Sequence, residues 1–398
     1  MAAQTIVNAK LVLPAGGKPA LRDGAVLVVN GRIKDVGPQS RFARLRKKAE
    51  VIDASRFTVM PGMINLHSHL DSDCSADFLT STILMSEQTS VLLAVDNARR
   101  ALAAGITTVR DLGNKYGVSI TLRDAIGRGW LTGPRILSAG KVLCMTGGHA
   151  WFIGDESDGP DEVRKSVRQN LKRGADWIKV IATGGVLSPG VEVGSAQLDP
   201  DELEMAVREA HKAGRRVAAH AIGNSGIKNA LRAGVDTIEH GCYLDDEAIA
   251  LFKKRNAVLV ATLCAPHFLL ENIDKIPDYA ARKTKEVHAA HRESFKRALR
   301  KGVTIAAGTD AGTPFNYQES FATELELMVE LGMDAEAAFE SCTSGAARAV
   351  GLERETGTLE AGKSADLIMV EGDPRKDISA TKRVRGVMMR GTWVARPL

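Results

Sequence analysis

The sequence predicts a (β/α)8 barrel carrying a small composite β-sandwich, and three observations predict it. From about residue 62 to residue 355, short β-branched runs alternate with long helical stretches. Both chain ends are instead short valine- and isoleucine-rich runs separated by glycine turns. Polar side chains able to hold a metal recur where the short runs of the middle region end.

At the N-terminal end, residues 4–13, 24–37 and 50–60 read as strands, with "PAGGKPA" and "VNGR" as turns. After about residue 355, "GTLEAGKSADLIMVEGDPRKD" and "RVRGVMMRGTWVARP" return to the same texture. Neither end is long enough to bury a core alone. Residues 1–58 and 356–398 are therefore expected to build one composite β-sandwich, with residues 59–355 forming the barrel.

Eight barrel strands are legible. They are "GMINLHSH", "ITTVRDLG", "RILSAGKVL", "WIKVIATGG", "RVAAHAIG", "DTIEHG", "AVLVATL" and "VTIAAGTDAG". Helical patterns such as 90–105 and 199–214 lie between them. The second opens with Asp199 as N-cap and Pro200 in the first turn, and stops at Gly214. A doubly wound sheet is the rival architecture, but no G-x-G-x-x-G follows the first strand.

Composition bounds the function. The chain has 398 residues, is 44% hydrophobic and carries a formal charge of +5, too small for its length to call for nucleic acid or an anionic membrane. The densest basic run, 41–50, lacks interleaved aromatic residues and reads as a solvated face. Five scattered cysteines without a C-x-x-C pair exclude a disulfide framework and a thiolate zinc site. No apolar run is long enough to span a bilayer, and "MAAQTIVNAK" lacks the layout of a signal peptide. The expectation is a cytoplasmic protein, unless a signal peptide has been removed.

The ligand face of a parallel barrel is the carboxyl end of its strands. Strand one ends with His67 and His69, which at period two point to the same side and can share a cation. Alone, H-x-H is a weak signal. Strand four carries Lys179 among apolar residues; it either snorkels to the rim or is desolvated, and a neutral amine can take up carbon dioxide as a carbamate. Strands five and six end in His220 and His240, and strand eight ends in Asp310. Each has a bland reading as a structural residue or a cap, but five strand ends sharing such residues point to a metal centre. Nitrogen and oxygen donors of this kind suit Zn²⁺ first.

The segments "PGMINLHSH", "ADWIKVIATGG", "AAHAIG", "TIEHG", "AAGTDAGTP" and "GTLEAGKSADLIMVEGDP" together resemble the amidohydrolase superfamily of metal-dependent hydrolases, over nearly the whole chain. The resemblance is closest to the imidazolonepropionase-related branch, with its Xaa-Pro and Xaa-Arg dipeptidases and acyl-amino-acid carboxypeptidases. It implies two divalent cations, zinc first. His67, His69 and Asp310 would hold one, His220 and His240 the other, and carboxylated Lys179 would bridge them. It implies a metal-bridging hydroxide attacking the C-terminal amide of a dipeptide or N-acyl amino acid, with Asp310 moving the proton. Lys179 argues against imidazolonepropionase activity, and "HAIGNSG" lacks the glutamate of deaminase-like relatives.

Tyr243 and His149 match the residues that bind a substrate carboxylate in the related dipeptidases; each has an equally good reading as an ordinary loop residue. Loops 182–197 and 263–279 are candidate covers. Trp151 and Phe152 would offer an apolar wall, while His267 is expected to stay off the substrate. Asp111 reads as structural, Asp71 and Asp73 as first-loop residues, and His211, His288 and His291 as surface residues on helices. The expected partner is a small molecule with a free carboxylate, in a homo-oligomer, without nucleic acid or membrane. The same site would also serve a lactone, a cyclic amide, a carbamate, or a xenobiotic amide or organophosphate ester. A non-enzymatic scaffold is the remote alternative.

Overall fold

The computed structural model describes residues 4–395. Its terminal segments form one hydrogen-bonded sheet of eight strands. The N-terminal segment gives Gln4–Val12, Leu21–Arg22, Gly24–Val29, Arg32–Pro38 and Glu50–Pro61. The C-terminal segment adds Leu367–Val370, Val384–Met389 and Thr392–Ala395. The two halves join where Leu367–Val370 runs antiparallel to residues 58–61. A bridge between Arg32 and Ser364, with Ala365 N donating to Gly31 O, folds the sheet back on itself. Val7, Val26, Val59, Leu367, Met369 and Met388 pack together in the core so enclosed. This is the composite layer expected from the two chain ends.

The barrel starts two residues after that sheet's longest strand. Met63–Ser68, Ile106–Asp111 and Arg135–Ser138 are parallel neighbours. Val142–Cys144, Trp177–Ile181, Arg216–Ala221, Thr237–His240 and Val258–Val260 form a second parallel run. The expected third strand, 135–143, is thus two pieces. The amide of Asn170 bonds both the N–H and the carbonyl of Lys141, so the backbone there needs no neighbouring strand.

The eighth strand, expected at 303–312, is irregular. It meets Val258–Val260 through a bridge at Ile305 and the first strand through one at Ala311. Side-chain amides replace part of its ladder. Asn65 Oδ1 accepts from the N–H groups of His67 and Thr309, and Asn316 Nδ2 donates to the carbonyls of Thr309 and Asp310.

Helices cover the barrel as the pattern predicted. Pro200–Lys212 has Asp199 and Glu202 as a reciprocal capping box. Gly174 and Gly234 end their helices at φ +98° and +97°, a conformation that a side chain would strain. All five cysteines are buried and unpaired. Among the described residues no helix is long and apolar enough to cross a membrane.

Candidate metal centre

Six of the sequence-predicted side chains meet at the carboxyl end of the barrel, lining one cavity: His67, His69, Lys179, His220, His240 and Asp310. Asp310 Oδ1 lies 3.2 Å from His67 Nε2 and 3.1 Å from His69 Nε2, and these three donors lie within 4.8 Å of one another. His240 lies between His67 and His220, at ring-centroid distances of 5.3 and 4.5 Å, tilted to the first and edge-on to the second.

The outer nitrogens of three rings are already committed. His67 Nδ1 donates to Glu239 Oε2 at 2.8 Å, His69 Nδ1 to the carbonyl of Gly113 at 2.6 Å, and His240 Nδ1 to Thr262 Oγ1 at 2.7 Å. Thr262 must accept, because its own proton goes to the Ala261 carbonyl. Each of these rings thereby turns its Nε2 inward, the nitrogen a metal ligand would use. His220 Nε2 is buried without a hydrogen-bond partner. Four imidazoles and one carboxylate facing one space fit divalent cations of the zinc type.

The electrostatics differ among the rings: burial lowers His69, but the Asp310 carboxylate beside it outweighs burial and raises it. Burial holds His220 and His240 well below the ordinary histidine range, so they stay unprotonated and able to ligate. Burial brings the Lys179 amine down to about 8, against the pull of Glu239 and Asp310. Its side chain is 2% exposed and makes no hydrogen bond among the described residues. Burial works to raise the Glu239 carboxyl, but Arg110 and His67 outweigh it and keep it ionised.

Backbone strain concentrates here. His240, Thr262 and Asp310 have φ of +73°, +56° and +57°, in a region that residues other than glycine rarely occupy. The left-handed turn at His240 explains how two adjacent residues, Glu239 and His240, both reach the site. Strict strand alternation would send them to opposite faces.

The remaining expectations divide. His149 lines the cavity, stacks on His220 at 4.4 Å and pairs its Nδ1 with Ser188 Oγ at 2.9 Å; burial pushes it down to about 3. Tyr243 stands outside the lining, its hydroxyl on the Glu286 carbonyl at 3.4 Å. Phe152 lines the cavity, whereas Trp151 is 38% exposed beside it. His267 faces Glu271 at 3.4 Å and is not in the lining. Asp111 is structural: it takes Leu70 N, Asn114 and Ser119, and leaves His69 to Gly113. Asp71 is buried against Ser90, and Asp73 is exposed.

His291 corrects the sequence reading. It is not a surface residue but 2% exposed, and it lines the cavity. Helix Asp278–Arg300 lies against the barrel mouth along this face, so a histidine in its middle is covered. His211, by contrast, is solvated beside Asp236.

Three supporting residues were not singled out from sequence. Fully buried Arg110 donates to Leu66 O, Thr237 Oγ1 and Glu239 Oε1, with its guanidinium 4.5 Å from the Trp177 ring centre. Glu239 links that cation to His67. Lys283, also buried, donates to the carbonyls of Gly185, Ser188 and Val191 and straps loop 182–197 over His149. "TIEHG" offered a signal for Glu239, an acid inside an apolar strand; the other two had none.

The profile of the Amidohydrolase family matches residues 58–394. Ochratoxinase of Aspergillus niger is 32% identical, over 96% of this chain and 84% of that protein. The imidazolonepropionase of Methylobacterium nodulans is 28% identical, over 90% of this chain and 91% of that protein. A crystal structure of a Xaa-Pro dipeptidase with methionine bound in its active site superposes with a TM-score of 0.91 at 34% identity, over 99% of this chain and all of that one. That family generally uses metal ions, and His67, His69 and Asp310 form a candidate site for one. The chain belongs to the amidohydrolase family and is a hydrolase of C–N bonds in small molecules.

Proposed function

We propose that this protein hydrolyses the C-terminal amide of dipeptides or N-acyl amino acids at a site for two divalent cations, zinc first. His67, His69 and Asp310 would hold one cation, and His220 and His240 the other. Lys179, as its carbamate, would join the two. The observation that carries this is the set of imidazoles anchored through their outer nitrogens around a desolvated amine. An amine brought down to about 8 is partly neutral at physiological pH. The neutral form adds carbon dioxide and loses one proton to give the carbamate.

Bound cations of this kind acidify water and polarise a scissile carbonyl. Asp310 takes the proton from the attacking water, whose oxygen adds to the carbonyl carbon. As the C–N bond breaks, Asp310 returns that proton to the leaving nitrogen. Asp310 Oδ1 stands 3.2 and 3.1 Å from His67 Nε2 and His69 Nε2, at the position the proton transfers require. His149 contributes hydrogen bonding to the substrate, and Phe78, Phe152 and Ile181 form an apolar wall for its side chain. A role for Tyr243 requires its hydroxyl to leave the Glu286 carbonyl.

A second reading, hydrolysis of a neutral amide, lactone or carbamate at the same site, has one observation in its favour. Among the described lining residues there is no arginine, and Lys179 is the only lysine. Metal analysis and a substrate screen test both. The expected result is two zinc equivalents per chain, loss of activity with a chelator, and turnover of N-acyl amino acids. Absence of bound metal, or activity indifferent to the chelator, sinks the metal centre. Turnover of neutral amides or lactones alone selects the second reading.

A further inference from the structure

Loop 182–197 grips the His149 segment from above. Gln197 Oε1 accepts from His149 N at 2.9 Å, and Ser188 Oγ accepts from Ala150 N at 3.1 Å. The same Ser188 Oγ lies 2.9 Å from His149 Nδ1. The ring is held between His220, at 4.4 Å between centroids, and Gly185, where a Cβ would press into the imidazole. Lys283 anchors the loop from helix Asp278–Arg300, donating to the carbonyls of Gly185, Ser188 and Val191. It is buried without an ion pair among the described residues, so three carbonyls of one loop take up its charge.

The Ser188 hydroxyl sets the direction of proton donation. Ser188 is fully buried, and His149 Nδ1 is the one acceptor its hydroxyl meets among the described residues. If Nδ1 carried the ring proton, the hydroxyl would receive two N–H donors. Its own proton would then be buried without an acceptor, the costlier arrangement. With the hydroxyl donating, Nδ1 is bare and a neutral ring keeps its proton on Nε2. That nitrogen makes no hydrogen bond among the described residues. Unlike His220 Nε2 and both nitrogens of His291, it is not enclosed by protein, and it opens on the cavity that His149 lines. The bland alternative has Ser188 serving only the left-handed turn at Ala150, with φ of +65°, and leaves its approach to Nδ1 without a purpose.

We propose that Ser188 is a positioning residue for His149: its hydroxyl donates to Nδ1 and so leaves the ring proton on Nε2, aimed at an oxygen of the substrate. This rests on the reading of His149 as a substrate-binding residue. Ser188 touches neither the substrate nor the cations; it acts through the ring. Loop 182–197 is then a fixed frame, pinned by Lys283, in place of a cover that opens and shuts.

The test begins with the purified full chain, supplied with zinc and labelled with nitrogen-15 in its histidines. The signals lost in His149→Gln assign the ring. The expected wild-type spectrum has a protonated Nε2 and an unprotonated Nδ1 displaced by an accepted hydrogen bond. In Ser188→Ala the Nδ1 signal is expected to move to the position of a free ring nitrogen. In Ser188→Thr, which keeps the hydroxyl, it is expected to stay. A proton on Nδ1 in wild type, alone or together with one on Nε2, overturns the proposal, as does an Nδ1 signal indifferent to Ser188→Ala. If Ser188→Ala fails to fold, judged by its melting temperature, the wild-type Nδ1 signal decides alone.

Turnover of N-benzoyl-L-phenylalanine, followed by benzoate release, supplies the second readout. In S188A we expect KM to rise about three- to tenfold with kcat and metal content held, and S188T to restore it. An unchanged KM, or a loss of kcat alone, overturns the proposal. If wild type does not hydrolyse this substrate, the amide reading fails separately. Calorimetric binding of N-benzoylglycine to wild type and S188A then replaces KM. Weaker binding by S188A supports the proposal; equal affinity, or no binding to wild type, overturns it.

Discussion

Glu239 does for His67 what no ligand can do for itself. By accepting the Nδ1 proton it fixes the tautomer, and Arg110 keeps it ionised. Replacing Glu239 by Gln removes the charge and allows the amide to donate to Nδ1, which would shift the proton to Nε2. Metal affinity, measured by competition with a chelator, is expected to fall about ten- to a hundredfold. Replacing Arg110 by Met leaves Glu239 buried and unpaired, and denaturant unfolding should show a loss of about 3–5 kcal/mol. Unchanged unfolding in Arg110→Met would mean that the pair is not coupled. Five of the six candidate metal ligands were legible in sequence because each is a polar side chain closing an apolar run, and Lys179 because a lysine inside one is costly. Arg110 and His291 were not. Arg110 is interior to its strand and pairs across more than a hundred positions, and His291 is covered by a packing that helical periodicity does not report.

Between elements, one buried acid ties the cavity-lining segment that opens at residue 264 to the barrel. Glu324, in helix Phe321–Glu330, accepts from Leu263 N at 2.9 Å and Cys264 N at 2.8 Å. These N–H groups open helix Cys264–Glu271, whose Ala265, Pro266 and Leu269 line the cavity. Burial raises the Glu324 carboxyl to about 7 despite the two donors. The folded state therefore binds a proton that the unfolded chain releases near 4.5. Its stabilising effect is complete below about pH 4.5 and is lost as pH rises towards 7, a loss on the order of 3 kcal/mol. Glu324→Gln is expected to flatten the pH dependence of unfolding across that window; a slope identical to wild type would assign it to other groups. Element existence was legible here, but regularity was not. The third strand breaks at Lys141 and the eighth loses its ladder because Asn170, Asn65 and Asn316 hydrogen-bond the backbone there. A single asparagine in sequence carries no mark of that task.

At the scale of the molecule, the sheet of the two chain ends stands on a shared apolar core. Leu367, fully buried, pairs with Pro61 and packs in that core with Val59 and Met388. Leu367→Ala is expected to cost about 2–5 kcal/mol in unfolding free energy, with the distant candidate metal ligands unchanged. A loss below about 0.5 kcal/mol would show that the core collapses freely around the gap. That both ends belong to one layer was legible, because neither texture could bury itself alone. The parallel pairing of Gln4–Val12 with Glu50–Pro61 was not, since register in short valine-rich runs depends on partners rather than on local pattern. This arrangement also bears on biosynthesis. Residues 367–370, which flank the strand ending at Pro61, leave the ribosome only after the whole barrel has been made. Until then the nascent chain carries an apolar strand with an open edge, a place where neighbouring nascent chains can pair. A transcript truncated near its end would make that exposure permanent, so stop codons before residue 367 are expected to yield aggregate even though every candidate metal ligand has already been translated.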